Sequence, residues 1–288
     1  MARIDVEELP YEEYSNRQLA TIPLAVLSIA LLVVLGAWLL TGTPVSLGID
    51  FTGGTELEFE TTDSAAEIRS NFEAIGVDSL RTTGTGNTWL LETQSTDDQQ
   101  LRATAREAGY EIERFNSRAA AFGGETQVQA LLGVGLAFLG MSVLVALMFR
   151  TLIPSVAVVV SAFSDMVIPL ALMNLFGIDL SLGTVAALLM IIGYSVDSDI
   201  LLNNHILKRH GGFYESSFRA MRTGVSMTLT SIAAMTTMFV VSSPWVLGIP
   251  LLPDVALVLV FGLSADLMNT YLLNMSLLRW YKYEGIAR

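Results

Sequence analysis

The 288-residue sequence contains no cysteine and only two histidines. The absence of cysteine excludes disulfide bonds, thiol catalysis and cysteine-ligated metal sites. The two histidines, His205 and His210, lie on either side of Lys208 and Arg209, and these cations oppose metal binding. We therefore expect neither a metal site nor a cofactor in this chain.

Lysine is nearly absent, since Lys208 and Lys282 stand against fourteen arginines. Acidic residues outnumber all basic residues, and the formal net charge is -12. An acidic composition that retains arginine but little lysine is typical of proteins from salt-loving organisms. The same negative charge argues against nucleic acid as a partner.

Charged residues make up only 15% of the chain, and 52% of the residues are hydrophobic. The mean hydropathy of +0.54 is too high for an ordinary soluble domain and indicates a multi-pass protein of the cell membrane. A polar, acidic segment at residues 1–18 precedes the first predicted span at residues 19–41. Residues 125–288 then contain five further predicted spans, at 128–149, 154–176, 183–207, 223–241 and 254–280.

Residues 42–124, which we call the head domain, differ from the spans because they hold 14 acidic residues and short periodic runs. Alternating apolar residues predict strands in VSLGID, in TELEFET, on both sides of a turn at residues 84–87, and in EIERFNS. Apolar spacing and cap residues predict helices at residues 64–75 and 97–108. The resulting order β-β-α-β-β-α-β is close to a ferredoxin-like α+β unit.

The basic residues outside the head domain all fall on one side of the predicted spans. They are Arg3, Arg17, Arg150, Lys208, Arg209, Arg219, Arg222, Arg279, Lys282 and Arg288. Neither short loop on the opposite side, 177–182 or 242–253, contains lysine or arginine. Because basic residues favour the cytoplasmic side of a membrane, we expect both termini to be cytoplasmic and the head domain extracytoplasmic.

Four acidic residues lie inside the predicted spans, namely Asp165, Asp197, Asp199 and Asp266. An aspartate at the centre of a span costs about 2.5 to 3.5 kcal/mol, whereas one leucine returns only about 0.3 to 0.6 kcal/mol. The second to sixth spans contain no internal lysine or arginine that could pair with these acids. Such a carboxylate holds a proton, a bound cation or water, which predicts an ion or proton pathway. The structural alternative is that the acids only hold helices together.

The fourth span places its two acids on different faces. Residues two apart in a helix point about 200° from each other, so Asp197 and Asp199 cannot share a face. The face of Asp197 carries a glycine, which would let another helix approach closely. We therefore expect both faces to be buried. The polar residues predicted to support the four acids are Ser195, Asn203, Asn204, Asn269 and Thr270.

Two motifs and the layout of the chain resemble the SecD/SecF family of protein-export membrane proteins, in its archaeal SecF form. The motifs are GIDFTGG at residues 48–54, directly after the first span, and GYSV at residues 193–196, followed by acids. One span, an outer domain and five further spans are also similar to that family, so the resemblance covers essentially the whole chain. The motif residues are Gly48, Asp50, Phe51, Gly53, Gly54, Gly193 and Tyr194.

The resemblance implies a six-span, RND-like half that needs a partner. It implies a non-enzymatic export accessory that pairs with SecD beside a SecYE-type channel, surrounded by membrane lipids. The outer domain would handle unfolded preprotein, and the membrane acids would couple an ion gradient to export. Because the stretch around Asp197 resembles the fourth span of SecD and of wider RND transporters, Asp197 is predicted as the principal acid, with Asp199 and Asp266 in support.

Two other functions are compatible with acids inside spans. A self-standing RND-like exporter of lipids or small solutes would have to act as a homo-oligomer. An intramembrane aspartyl protease would also use acids on two helices, but the Gly-x-Gly-Asp motif typical of such enzymes is absent from the sequence.

Overall fold

The computed structural model describes residues 11–83, 87–118, 120–208 and 212–285. Some of the predictions above concern residues outside this part of the chain. They are most of the acidic segment 1–18, the centre of the predicted turn at 84–86, His210, and two of the basic residues used for orientation, Arg209 and Arg288.

Helix α1, Asn16–Thr41, is the first membrane span. Ser15 begins it with a capping box, in which its side chain accepts the Gln18 N–H and the Gln18 side chain accepts the Ser15 N–H. The helix ends at Gly42, whose φ of 80° is the left-handed conformation that glycine adopts without strain. The helix begins three residues before the predicted span because the cap, and not the apolar run, determines its first turn.

The head domain is an antiparallel four-stranded sheet with two helices, α3 and α4, preceded by the single helical turn α2. Its elements are α2 Ile49–Thr52, β1 Gly54–Glu60, α3 Ala65–Asn71, β2 Ser79–Thr83, β3 Thr88–Thr93, α4 Asp98–Glu107 and β4 Glu111–Arg118. The strand order is β2-β3-β1-β4, so β3 lies between the two strands that α3 connects. This is the predicted ferredoxin-like arrangement.

The prediction of a strand in VSLGID is wrong. Only Leu47 forms an isolated bridge, parallel to Leu180, and the residues from Ile49 onward make the single helical turn α2. The backbone of this stretch bonds to the loop before the fourth span, because the Gly48 N–H donates to the Leu180 carbonyl oxygen at 2.9 Å. Its partners therefore lie outside the head sheet, where alternation within the segment could not reveal them.

The head domain has its own hydrophobic core. Phe59 of β1 stacks on Tyr110 with ring centroids 4.7 Å apart and lies 6.0 Å from the Phe72 ring. Leu57 and Leu91 from neighbouring strands are fully buried in the same cluster. This core draws only on head residues, so the head packs separately from the helices in the membrane.

Six of the described helices are long and apolar enough to span a membrane. After α1 they are α5 Ala120–Phe149, α6 Leu152–Phe176, α7 Leu182–Lys208, α8 Phe213–Ser242 and a last helix that begins with α9 Leu252–Met268. The last helix continues through a π-helical segment, Asn269–Asn274, to α10, Met275–Trp280. The spans formed by α6, α7 and the last helix bury more than half of their residues, whereas α1, α5 and α8 bury less than a quarter. The inner three helices carry all four of the span acids.

Candidate functional site

Three carboxylates from three inner helices meet inside the bundle. Asp165 of α6 and Asp199 of α7 are fully buried, and Asp266 of α9 is 1% exposed. The Thr270 hydroxyl lies 2.9 Å from Asp199 Oδ1 and 3.2 Å from Asp266 Oδ1, so one donor connects two of the acids. We call Asp165, Asp199 and Asp266 the carboxylate cluster.

Neutral side chains hold the carboxylates of the cluster. Asp165 accepts hydrogen bonds from the Ser195 hydroxyl and the Asn269 amide, each at 2.6 Å. The remaining donors are the Ser198 hydroxyl, 2.7 Å from Asp266 Oδ1, and the Asn274 amide, 2.7 Å from Asp199 Oδ1. None of the lysines and arginines in the described ranges forms an ion pair with a cluster acid. The cluster is therefore a set of acids without a cationic side chain.

The π-helical segment Asn269–Asn274 supplies three of the donors, since Asn269, Thr270 and Asn274 all belong to it. Hydrogen bonds in a π-helix connect residues five apart, so Asn269 and Asn274 come onto one face of the helix. In a regular α-helix the same two residues would point about 140° apart. The wider turn thus lets one helix contact both Asp165 and Asp199.

The cluster contains more hydrogen-bond acceptors than donors. Four buried oxygens of the cluster acids and of the amide residues that bond them have no hydrogen-bond partner among the described residues: Asp199 Oδ2, Asp266 Oδ2, Asn269 Oδ1 and Asn274 Oδ1. An unpaired buried polar group costs about 1 to 3 kcal/mol. Protons or a bound cation would satisfy these oxygens, so the arrangement suits uptake of a positive charge.

Further polar groups continue from the cluster along α7 toward Lys208. Asn203 lies one turn beyond Asp199 and is fully buried, and neither polar atom of its side chain has a partner among the described residues. Asn204 is half-buried, and its side-chain oxygen also lacks a partner there. The His205 ring bonds through Nδ1 to the Leu201 carbonyl oxygen at 2.8 Å. Asn203 thus lies one turn from Asp199 without being bonded to the cluster, whereas Asn204 lies on the face of Asp197.

Asp197, the acid predicted to be principal, lies outside the cluster. Asp197 and Gly193 are both exposed, on the face of α7 opposite Asp199, as the spacing of the two acids predicts. The expectation that both faces are buried is wrong for this single chain, since a side chain added at Gly193 would meet no atom within 4 Å. One chain supplies helices to only one face of α7. Asp199, and not Asp197, is therefore the acid of α7 that joins the carboxylate cluster.

Two members of the site were missed by the sequence analysis. Ser198 bonds Asp266, and Asn274 bonds Asp199. Ser198 lies between two acids in the sequence, and Asn274 lies one turn beyond the predicted site residue Thr270. Either position could have indicated a place in the site. The motif residue Tyr194 is not in the cluster, because its hydroxyl lies 3.4 Å from the Thr228 and Ser231 hydroxyls of α8.

The segment before α1 closes the end of the bundle that lies opposite the head. Tyr11 is 3% exposed, and its hydroxyl donates to the Tyr271 carbonyl oxygen of the π-helical segment at 3.0 Å. Arg279 donates to the carbonyl oxygens of Tyr11 and Tyr14, each at 2.7 Å. This segment therefore covers the helix that supplies Asn269, Thr270 and Asn274 to the cluster.

The GIDFTGG motif at residues 48–54, which we call the glycine motif, lies at the other end of α7. Asp50 Oδ2 accepts the backbone N–H of Leu182, the first residue of α7, at 2.9 Å. Seventeen residues separate Leu182 from Asp199, which corresponds to about 25 Å along a helix. Phe51 of the same motif is 3% exposed. The motif thus connects the head domain to α7 and contributes nothing directly to the cluster.

Comparisons with known proteins agree on the family. A model described as "Protein export membrane protein SecD/SecF, C-terminal" matches residues 99–284, and "SecD/SecF GG Motif" matches residues 38–65. The protein-export membrane protein SecF of Haloferax volcanii is 57% identical to this chain, and the match covers 100% of both. The chain belongs to the SecF family of protein-export membrane proteins. It is therefore a membrane component of the protein-export system.

Other SecF relatives support the compositional prediction. The SecF of Haloquadratum walsbyi is 56% identical, with 100% of each chain covered, and that of Pyrococcus furiosus is 37% identical, with 95% of this chain and 94% of the relative covered. The two most similar of these three relatives come from halophilic archaea. The prediction of a salt-loving source from low lysine and high acidity is thus confirmed.

Solved structures of SecDF share the fold of this chain. The crystal structure of SecDF, a translocon-associated membrane protein from Thermus thermophilus, has a TM-score of 0.70 at 22% identity and covers 98% of this chain. The super-membrane-facing form of SecDF has a TM-score of 0.59 at 23% identity and covers all of it. In both cases this chain spans 40% of the longer SecDF chain.

Proposed function

We propose that this chain is a non-enzymatic accessory subunit that pairs with SecD beside a SecYE-type channel and promotes translocation of unfolded preproteins. In this proposal the carboxylate cluster couples an ion gradient to export. The observation that carries it is the meeting of three buried carboxylates from three spans, held by neutral donors, with unpaired acceptor oxygens beside them.

Electrostatics explains how the cluster would respond to an ion. Asp199 Oδ1 and Asp266 Oδ1 both lie within 3.2 Å of the Thr270 hydroxyl, which has only one proton to donate. Two full charges there would repel by about 3 kcal/mol at an effective dielectric constant of about 20. Uptake of a proton or a sodium ion removes that repulsion, and release restores it. The packing of α7 against α9 therefore depends on the occupancy of the site.

The exposed face of α7 supports pairing with SecD. An aspartate that faces lipid costs several kcal/mol, so Asp197 requires a protein neighbour in the membrane. Gly193, one turn away and equally exposed, leaves room for a close helix. Transporters of related architecture consist of two similar halves, and this chain spans 40% of the SecDF chains that share its fold. SecD is the partner that this face would receive.

Orientation is part of the same proposal. Basic residues lie at the end of the bundle opposite the head, for example Arg17 at the start of α1, Arg150 between α5 and α6, and Arg279 near the end of α10. This distribution favours cytoplasmic termini and an extracytoplasmic head domain. The head would then meet preprotein as it leaves the channel, while lipids surround the outer helices.

The proposal is tested in two steps with tagged protein from its native membrane. Gentle purification should recover SecD in stoichiometric amount, and recovery of a homo-oligomer alone would contradict the pairing. Inverted vesicles with an imposed proton or sodium gradient should then export a secreted precursor faster than vesicles treated with the matching ionophore. In vesicles that carry Asp199→Asn, the export rate with the gradient should equal the rate after ionophore treatment. Faster export with the gradient in that variant would contradict ion coupling through the cluster.

A further inference from the structure

The glycine motif forms a rigid corner between the head and the membrane. After the helical turn α2, Gly53 and Gly54 adopt φ values of 76° and 124°, which side chains rarely permit. A Cβ atom at Gly54 would also overlap the carbonyl oxygen of Thr93 in the neighbouring strand. The two glycines let the chain pass directly from α2 into β1, so Asp50 is held at a fixed distance from the head sheet.

Asp50 connects this corner to the outer end of α7. Its carboxylate accepts the Leu182 N–H, one of the backbone donors that a helix leaves unpaired in its first turn. The negative charge also suits the positive end of the helix dipole. Two backbone bonds run beside it, from the Gly48 N–H to the Leu180 carbonyl oxygen and from the Leu180 N–H to the Ser46 carbonyl oxygen. Residues 46–50 thus make three hydrogen bonds to Leu180 and Leu182, at the point where α7 begins.

Arg81 makes a second connection from β2, an edge strand of the head sheet. Its guanidinium lies 3.6 Å from Asp179, which precedes α7, and 3.3 Å from Asp254, in the first turn of α9. These two helices carry Asp199 and Asp266 of the cluster. One head arginine therefore contacts the outer ends of both helices whose carboxylates share the Thr270 hydroxyl.

We infer that Asp50 is a positioning residue that ties the outer end of α7 to the head domain, with Arg81 as a second tie to α7 and α9. A displacement of the head is thereby transmitted to the helices that bear Asp199 and Asp266. The consequence for export rests on the proposed function, whereas the connection itself does not. Because Asp50 touches a helix end about 25 Å from the cluster, it acts through α7 and not on the ion.

The absence of cysteine makes the connection measurable. Cysteines introduced at exposed Glu73 of the head and exposed Met190 of α7 would carry spin labels. Because Met190 lies on the same face of α7 as Asp197, the distance between the labels would be measured in the purified full-length chain without SecD. We expect one narrow distance in the otherwise unchanged protein. Asp50→Ala should broaden or shift it, and hydrogen exchange at Leu182, whose N–H loses its acceptor, should accelerate about fivefold, as for a lost helix cap.

Three variants separate positioning from general destabilisation. Asp50→Asn keeps a side-chain oxygen acceptor, so it should restore the narrow distance. Glu67→Ala removes a carboxylate from the start of α3, entirely within the head, and should leave the distance between head and α7 unchanged. Arg81→Ala alters a partly exposed contact and should shift the distance less than Asp50→Ala does.

The inference is overturned if Asp50→Ala leaves both the distance and the exchange unchanged, or if Glu67→Ala alters the distance as much. It is equally overturned if Asp50→Asn behaves like Asp50→Ala. Neither readout involves export or an ion gradient. A failure of ion coupling in vesicles would therefore leave this result intact, and a failure here would leave the proposed function standing.

Discussion

One group of acids lies beside the outer end of α7 and another lies about 25 Å further along the helix, and their surroundings differ. At the junction with the head, Asp179 and Asp254 pair with Arg81, and the three side chains are 26% to 41% exposed. In the carboxylate cluster the acids are at most 1% exposed and bond only to hydroxyl and amide groups. Water stabilises ionised pairs at the junction, whereas the cluster relies on neutral donors or on a charge taken up from outside.

The comparison indicates where substitutions should have large effects. A partly exposed ion pair contributes about 0 to 1 kcal/mol, because water and salt screen it. A group inside the membrane has no such screening, and leaving a buried partner unpaired costs about 1 to 3 kcal/mol. We therefore expect the strongest effects in the cluster, intermediate effects at tightly packed glycines, and the weakest at the junction.

The largest expected effect is that of Asp199→Asn compared with Asp197→Asn. One charge that moves through about 100 mV supplies about 2.3 kcal/mol, so loss of coupling at Asp199 should slow gradient-driven export at least about tenfold. The Asp199→Asn protein should still purify with SecD. Asp197→Asn should instead reduce the amount of SecD recovered. If Asp197→Asn abolished export while SecD remained bound, Asp197 and not Asp199 would be the coupling residue.

The next effect concerns the packing of the bundle around Tyr271. A Cβ atom at Gly224 of α8 would overlap the Tyr271 hydroxyl, which belongs to the π-helical segment. Gly224→Ala should therefore destabilise the bundle by about 1 to 3 kcal/mol, as overpacking usually does. Gly193→Ala places its methyl group in open space and is the matched control. Melting of the two purified chains without SecD should differ, and equal melting temperatures would contradict the packing described.

A comparable test applies to the head. At Gly54 a methyl group would overlap the Thr93 carbonyl oxygen, in addition to the strain of a positive φ, whereas Gly76 has a φ of 84° and open space. Gly76→Ala should cost about 1 to 2 kcal/mol from backbone strain alone, and Gly54→Ala should cost more. Limited proteolysis of the full chain would report both. Equal resistance of the two variants would argue against a fixed corner at the motif.

The smallest expected effect is a pH dependence of the stability of the head, which arises from acids near the junction. Burial raises the pKa of Glu92, only partly opposed by Arg81, and nearby Asp179 and Asp254 raise it further. Burial and the Glu92 charge on the neighbouring strand likewise raise the pKa of Glu56. The folded head then binds more protons than the unfolded chain, so its stability falls as pH rises from the usual carboxylate pKa through the raised values.

Glu92→Gln should make the melting temperature of the head less dependent on pH across that interval. Thermal unfolding between mildly acidic and neutral pH, at constant high salt, would measure the slope. Glu73→Gln changes an exposed glutamate of the same domain and is the control. If the melting temperature changed with pH by the same slope in the unchanged protein, Glu92→Gln and Glu73→Gln, Glu92 would not contribute to the pH dependence.

Much of the fold is predictable from local sequence patterns. Six spans follow from apolar length, and the ferredoxin-like order follows from alternation and helical spacing, because these signals lie within single elements. The strand predicted in VSLGID failed for the opposite reason. Its hydrogen-bond partner, Leu180, is more than a hundred residues away in the chain, and only the folded structure brings the two together.

The amino-acid sequence is enough to predict acids inside the spans, to place Asp197 and Asp199 on different faces of one helix, and to assign the chain to the export proteins. The folded chain was needed to show that Asp199 joins Asp165 and Asp266, and that Ser198 and Asn274 donate hydrogen bonds to the cluster. Helical spacing specifies the angle between two side chains on one helix. It does not specify which face the other helices cover, because that depends on packing between residues far apart in the chain.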